Sequence, residues 1–487
     1  MSFGRILVTG VLAGSLCSPA SADPWLAPGD EGVRSDIQLL ADAGVLKGPV
    51  TTWPISWPDI SRDALAADSR LLDSATQDAL ARVQRLARAS MASGFGGVGV
   101  RAAAAHEPPA IRGFADTPRE EGEAGLKASW LGDRFAANLQ GTVVVDPDDD
   151  REFRPDGSYL GVNIGNFMIS AGWMERWWGP GWDSSLILST NARPIPTLTI
   201  ERSYADPFET KLLSWLGPWR ASIAVGQTEE HEVARPNTRF FAARVNIRPV
   251  SWFELGVSRT AQWCGDGRPC GWKSFADMLV GNDNQEVDGS VDAQPGNQMA
   301  GYDLRMRSPW RRLPLAIYTQ WIGEDEAGGL PSKFIGQFGL EAWAATPLGN
   351  ARAHVEYSDT ACNFSREEPE FNCAYRNTLY PQGYSYRGRN IGHPLDNDGR
   401  LYVFGVLLTR PNGDFVSANL RRAEVNRDGA GRHPISSVPF DVDNVELRYS
   451  RSLGAGKIIM SVAYDHTDLE ADTSSDFRGY LSWQQGF

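Results

Sequence analysis

Phe477-Arg478-Gly479-Tyr480-Leu481-Ser482-Trp483-Gln484-Gln485-Gly486-Phe487 is the stretch that decides the fold. Side chains of an extended chain alternate between two faces. Phe477, Gly479, Leu481, Trp483, Gln485 and Phe487 therefore share one face, rich in aromatic and apolar groups, and the chain stops on an aromatic ring.

The same period of two recurs upstream. Phe135, Ala137, Leu139, Gly141, Val143 and Val145 alternate with Ala136, Asn138, Gln140, Thr142 and Val144. Phe241, Ala243, Val245 and Ile247 alternate with Ala242, Arg244, Asn246 and Arg248. Phe167, Ile169, Ala171 and Trp173 form a further apolar face, as do Tyr402, Phe404, Val406 and Leu408, and Ile458, Met460, Val462 and Tyr464. A sandwich strand alternates too. Three features favour a mainly β, antiparallel transmembrane barrel. The segments are long, roughly ten residues. Their second faces carry Arg, Asn and Gln, which a water-filled lumen accepts and a dry core does not. Aromatic residues gather near segment ends, as in interfacial girdles. Residues 97–487, at about 20–25 positions per strand and connection, allow about 16–18 strands. A terminal aromatic on such a strand resembles the recognition signal of bacterial outer-membrane barrels, so Phe487 is expected to engage the barrel-insertion machinery.

The other end of the chain sets the compartment. Arg5 is the only charge before Asp23, an apolar core follows it, and Ala20-Ser21-Ala22 fits a small-x-small cleavage site. Residues 1–22 are expected to be a secretory signal peptide. No later stretch is long and apolar enough for a spanning helix. Residues 23–93 read as a small helical unit. Val33, Ile37 and Leu40 mark one helix, stopped by Gly44. Ser74-Ala75-Thr76-Gln77 is a capping-box pattern that opens a second helix through Leu80, Val83, Leu86 and Ala87. Trp53-Pro54-Ile55-Ser56-Trp57-Pro58 reads as a proline-broken connector between them. Gly94-Phe95-Gly96-Gly97-Val98-Gly99 matches G-x-G-x-x-G, but a helix precedes it and a strand follows, so it reads as a flexible junction. The barrel then occupies residues 94–487.

A net charge of −13 argues against nucleic acid as a partner. Four cysteines follow the signal. Of three possible connectivities, proximity favours Cys264–Cys270 and Cys362–Cys373, and export favours disulfides. Zinc lacks the C-x₂-C spacing and His pair it needs.

Trp177-Trp178-Gly179-Pro180-Gly181-Trp182 places three indoles around two glycines and a proline. Such a segment is a turn or kinked loop. Its indole faces suit stacking on sugar rings, or packing as a plug across the lumen. Arg176, Arg387 and Arg389 offer bidentate donors to acidic sugars. Motifs for catalysis or metal binding fail on inspection. His231-Glu232 is followed by Arg235 where a zinc peptidase needs His. Asp146, Asp148 and Asp150 lead to Arg151 and Gly157 where a calcium loop needs Gly and Glu. Asp396-Asn397-Asp398-Gly399 reads first as a turn. Glu175 and Glu324-Asp325-Glu326 could supply glycosidase carboxylates, but nothing sets a pair at the required separation. A non-enzymatic protein without metal or cofactor is expected.

Several blocks, in order along most of the chain, resemble the Wzi family of capsule-assembly outer-membrane proteins. They are Arg34-Ser35-Asp36-Ile37-Gln38-Leu39-Leu40 with Gly48-Pro49-Val50, and Met174 through Trp182 running into Asn191-Ala192-Arg193-Pro194-Ile195-Pro196. Next come Gln262-Trp263-Cys264-Gly265 with Gly267-Arg268-Pro269-Cys270, Pro295-Gly296-Asn297-Gln298 with Ala300-Gly301-Tyr302-Asp303, and Ile322 to Glu326. Glu356-Tyr357-Ser358-Asp359-Thr360 and Tyr384 to His393 complete them. The resemblance implies an 18-stranded barrel in outer-membrane lipid, with a helical bundle at its periplasmic mouth. It also implies a lectin-like role toward capsular or other surface polysaccharide, and a monomer is expected. The alternatives are a porin-like channel with an open, charged lumen and an outer-membrane glycan hydrolase.

Overall fold

The computed structural model describes residues 22–487 except 232, 281–295, 311, 328–329, 430 and 470–471. The expected signal peptide, but for Ala22, lies outside the described residues.

Three α-helices form within residues 23–93. Helix α1, Glu31–Asp42, starts on Asp30, whose carboxylate accepts the Val33 amide hydrogen at 3.1 Å. Helix α2, Trp57–Ala66, begins inside the stretch expected to be a broken connector. Pro58 sits in its first turn, where the missing N–H has no intrahelical partner to lose. Helix α3, Ser74–Ser90, is capped by Asp73, which accepts from Thr76, so the cap lies one residue before the expected Ser74. Ile37, Leu40, Ile60, Leu80 and Val83 bury the common face of the three helices.

Among the described residues, eighteen antiparallel strands close a barrel. Phe153–Arg154 and Tyr159–Ile164 run as one interrupted strand beside Phe135–Val145. The last strand, Asp472–Gln485, pairs with the first, Gly94–His106, from Gly479↔His106 to Gln485↔Val100. The glycine run expected to be a junction is thus already strand, with an irregular register between Phe95 and Gly97. A Cβ at Gly99 would collide with the Gly486 carbonyl, which explains a glycine there.

The period-two reading has a consistent sense. Leu139, Val143, Phe477 and Leu481 face outward and are exposed, while Asn138, Tyr480 and Ser482 are buried. Apolar-out, polar-in is the arrangement a bilayer demands. Phe241 is buried on the outer wall because helix α4, Trp272–Val280, lies over it with Phe275 and Met278. Arg259, on the same wall, donates to the Met278 and Leu279 carbonyls that end this helix, at 2.6 and 2.8 Å.

Both ends of the barrel chain lie at the mouth with short turns, such as residues 251–252 and 454–455. Long connections, 107–121, 173–196 and 360–399, gather at the other mouth. Short periplasmic turns and longer extracellular loops are the rule for these barrels. The helical unit meets the short-turn end: Arg82 donates to the Arg410 carbonyl at 3.1 Å, and Lys457 pairs with Asp30 at 2.6 Å. The inward Arg, Asn and Gln side chains, expected to line water, instead meet protein through much of the lumen.

Candidate functional site

The tryptophan segment crosses the lumen. Trp177 and Trp178 pair antiparallel with Trp53 and Thr52 of the helical unit, and the Gly179 amide donates to the Thr51 carbonyl at 3.0 Å. A Cβ at Gly179 would press on Gln320, and one at Gly181 would collide with Gln337 and the Ser184 carbonyl. Glycine is needed at both positions for this close approach.

Every indole face is taken by protein. Trp177 and Trp178 are fully buried and Trp182 is 3% exposed. Phe114 meets Trp177 edge-on at 5.4 Å. Arg34 lies 4.3 Å over the Trp182 ring, against which His354 also stacks. Arg34 donates to the carbonyls of Pro180 and Gly181 at 2.9 and 2.7 Å. Burial draws its guanidinium down to about 10, with Glu356 opposing. Glu356 accepts the amide hydrogens of Trp182 and of Asp183, the latter at 3.0 Å, and Glu341 accepts Trp182 Nε1 at 3.0 Å. Arg176 is also buried, donating to Thr199 Oγ1 at 2.6 Å. In this structure the four residues serve as a packed partition and expose no sugar-binding face.

Two ion chains lock the partition to the helices. Asp183 binds Arg421 at 2.6 Å, which binds Glu446 at 2.8 Å. Glu446 binds Arg448 at 2.6 Å, and Arg448 reaches Glu31 of α1 at 2.5 Å. Asp42 binds Arg305 at 2.7 Å, which shares Glu341 with Arg352.

Above the partition, toward the long connections, lies a cavity of 520 Å³. Arg387 and Arg389 both line it. They sit on a hairpin of Ser385–Tyr386 and Arg389–Asn390 whose central residues, Arg387 and Gly388, have φ of +50° and +75°. Two positive φ values at a two-residue turn match a type I′ hairpin. Arg387 itself holds a backbone conformation uncommon for a side-chain-bearing residue. Its amide is anchored on Glu229 at 2.5 Å. Arg389 makes one long contact, 3.4 Å, to the Ala110 carbonyl. Burial and the neighbouring Arg119 draw Arg389 below the usual guanidinium range. Among the described residues neither guanidinium has a carboxylate within ion-pair distance. The other arginines of the wall are paired, Arg421 as above and Arg478 with Asp465 at 2.5 Å. Ile111, Leu395, Phe440 and Tyr480 add apolar surface.

The remaining candidates go elsewhere. Both expected disulfides form, Cys264–Cys270 and Cys362–Cys373. Glu175 lies 3.6 Å from Arg119. Glu324 belongs to the strand Leu315–Ala327 and not to a solvated loop. In the run after Asp146, it is Asp149 that binds Arg193 and Arg154, at 2.5 and 3.0 Å. Asp396, Asn397 and Asp398 are buried, with Asp398 accepting the Asn372 amide hydrogen at 2.9 Å. His231 stays on the connection 228–237, and Glu232 lies outside the described residues. Sequence reasoning did not find Arg34, Asp183, Glu356 or Arg421. Their partners lie up to 238 positions away, and no local spacing announces them.

Residues 93–485 match the family model described as capsule assembly protein Wzi. A Klebsiella pneumoniae protein, described as an uncharacterized 55.8 kDa protein in the cps region, is 33% identical over 430 residues, covering 88% of this chain and 82% of its own. The solved structure of Escherichia coli Wzi is described as an outer membrane protein involved in group 1 capsule assembly and a carbohydrate-binding β-barrel. It shares 28% identity and a TM-score of 0.82, over 95% of this chain and 99% of that one. Family model, relative and fold agree: the chain is an outer-membrane β-barrel of the Wzi capsule assembly family.

Proposed function

We propose that this barrel is a non-enzymatic, lectin-like protein that holds capsular or other extracellular polysaccharide at the cell surface. The observation that carries the reading is the cavity beneath the long connections, where Arg387 and Arg389 stand without carboxylate partners among the described residues, beside apolar wall. Its volume is within the ~300–1,000 Å³ usual for ligand sites. Guanidinium forks match the carboxylates of acidic sugars bidentately. The carbohydrate binding ascribed to the Escherichia coli relative agrees with it. Trp177, Trp178, Trp182 and Arg176 close the lumen and do not contact glycan, which weighs against a porin-like channel.

The route to this location is part of the same proposal. Residues 1–22 direct export and are cleaved, the barrel-insertion machinery reads Phe487, and the protein works as a monomer in outer-membrane lipid. A strain lacking the protein tests the reading. Loss of cell-bound polysaccharide into the medium is expected; unchanged retention on the deleted cells would contradict it.

A further inference from the structure

The cavity opens among the long connections. Its rim is exposed, with Gly388 and Ile435 open to solvent (Ile435 48%), whereas Arg421 and Glu446 at depth are 6% and 5% exposed. Below them the way is closed. Arg421 is clamped to both carboxylate oxygens of Asp183 at 2.6 and 2.7 Å, and Asp183 belongs to the tryptophan partition. Glu446 is held by Arg448, which is tied in turn to Glu31 of α1. The floor is therefore built from groups committed to the plug.

A blind pocket imposes a condition on a polymeric ligand. A stretch from the middle of a chain must enter and leave, and with the floor closed both must happen on the outer side, so it would have to double back. A cavity of 520 Å³ has room for a few sugar rings, not for a hairpin of glycan. A chain terminus needs only one opening. Resting on the glycan-binding reading above, we propose that the vestibule takes a terminal segment of an acidic polysaccharide. Arg387 and Arg389 hold an acidic group of that segment near the rim. Ile111, Leu395 and Phe440 meet the apolar C–H faces of its sugars, and the hydroxyl of Tyr480 and the paired charges of the floor meet its deepest polar groups. The protein would then count chain ends and not chain length, and each barrel would hold one polymer by one end.

The test uses the full-length barrel in lipid nanodiscs. The probes are capsular polysaccharide purified from the organism that bears the protein, and the same polymer cut at its repeat linkage into short oligosaccharides. At equal sugar mass the cut sample is expected to saturate the protein at lower concentration, in proportion to its larger number of ends. At equal numbers of ends the two should bind alike. Ala463→Trp, which fills the cavity from its wall, is expected to weaken both at least tenfold; Thr467→Trp serves if that variant does not fold. Equal binding per sugar mass regardless of chain length, or long polymer outcompeting its fragments at equal ends, would overturn the end-binding proposal while leaving glycan binding intact. Absence of binding by both probes would overturn the glycan-binding reading itself.

Discussion

The two halves of the lumen use the same residue types to opposite ends. In the lower half, tryptophans and arginines are buried and held by protein groups: Arg34 on two carbonyls, Trp182 on Glu341, Arg244 on Asp303. In the upper half, Arg387 and Arg389 border 520 Å³ of space and, among the described residues, have no carboxylate within ion-pair distance. A charge taken out of water must find a partner. Where the chain provides one, the residue is structural. Where it leaves half-buried cationic groups beside a cavity, as at Arg387 and Arg389, the glycan proposed above would supply the partner.

The lower half is where substitution should do most damage. Glu356 accepts from two buried amides and from the Tyr318 hydroxyl, the last at 2.6 Å. Leaving each donor unpaired costs about 1–3 kcal/mol. Glu356→Ala is expected to release residues 177–183 and turn a silent barrel into a conducting one in planar bilayers. A variant as silent as the parent would break the distinction between the halves. Arg244→Ala comes next. Arg244 is fully buried and binds Asp303 at 2.5 and 2.9 Å while contacting Thr51 and Thr52 of the helical unit. Removing one partner of a buried pair costs about 3–5 kcal/mol, so hydrogen exchange should rise at residues 50–57; unchanged exchange would refute the coupling.

A smaller effect is expected from pH, in the long connection 360–399. Burial pushes the His393 imidazole down to about 3, and its ring lies 2.8 Å from Ser358 Oγ. From its ordinary 6.5 down to 3 the unfolded loop binds a proton that the folded loop refuses, so His393 makes stability fall as pH falls. Burial raises Asp398 to about 6, so between 6 and 3.8 the folded loop binds the extra proton and gains stability as pH falls. Burial raises Asp396 as well, so two carboxyls oppose the histidine, and the histidine's share should appear as faster proteolysis of the loop on acidification in the parent than in His393→Gln. His393→Gln should shift the slope toward gain of stability on acidification by leaving Asp396 and Asp398; a slope that does not change would remove His393 from the account. Smallest is disulfide reduction. The bridges close loops of 6 and 11 residues, and short loops contribute less than about 3 kcal/mol. Reducing agent should loosen these connections and leave barrel unfolding where it was; a large drop in barrel stability would show that the bridges do more than staple loops.

The barrel was legible because a membrane strand writes its two environments into alternate residues, as Leu139 beside Asn138 shows. The helical unit was legible through caps and spacing, except that Pro58 looks like a breaker until it is placed in a first turn. The contents of the lumen were not legible. An inward Arg244 has the same sequence pattern whether it meets water or Asp303, and the choice depends on segments inserted from elsewhere in the chain. The same blindness applies to Trp177 and Trp178. Indoles grouped around glycine suit a sugar or a core, and their pairing with Thr52 and Trp53 decides for the core. The donor chemistry of Arg387 and Arg389 is legible in the sequence, and the structure brings them together on the wall of the cavity.

Binding of purified capsular polysaccharide to the wild-type barrel and to the Arg387→Ala/Arg389→Ala double variant, side by side with their thermal unfolding, tests the division most directly. Hydrogen bonds to charged groups contribute about 1.5–3 kcal/mol each, so the double variant should bind at least tenfold more weakly and unfold at the wild-type temperature. Full affinity in the double variant would contradict the account, because the vestibule arginines would then not be where the glycan is held.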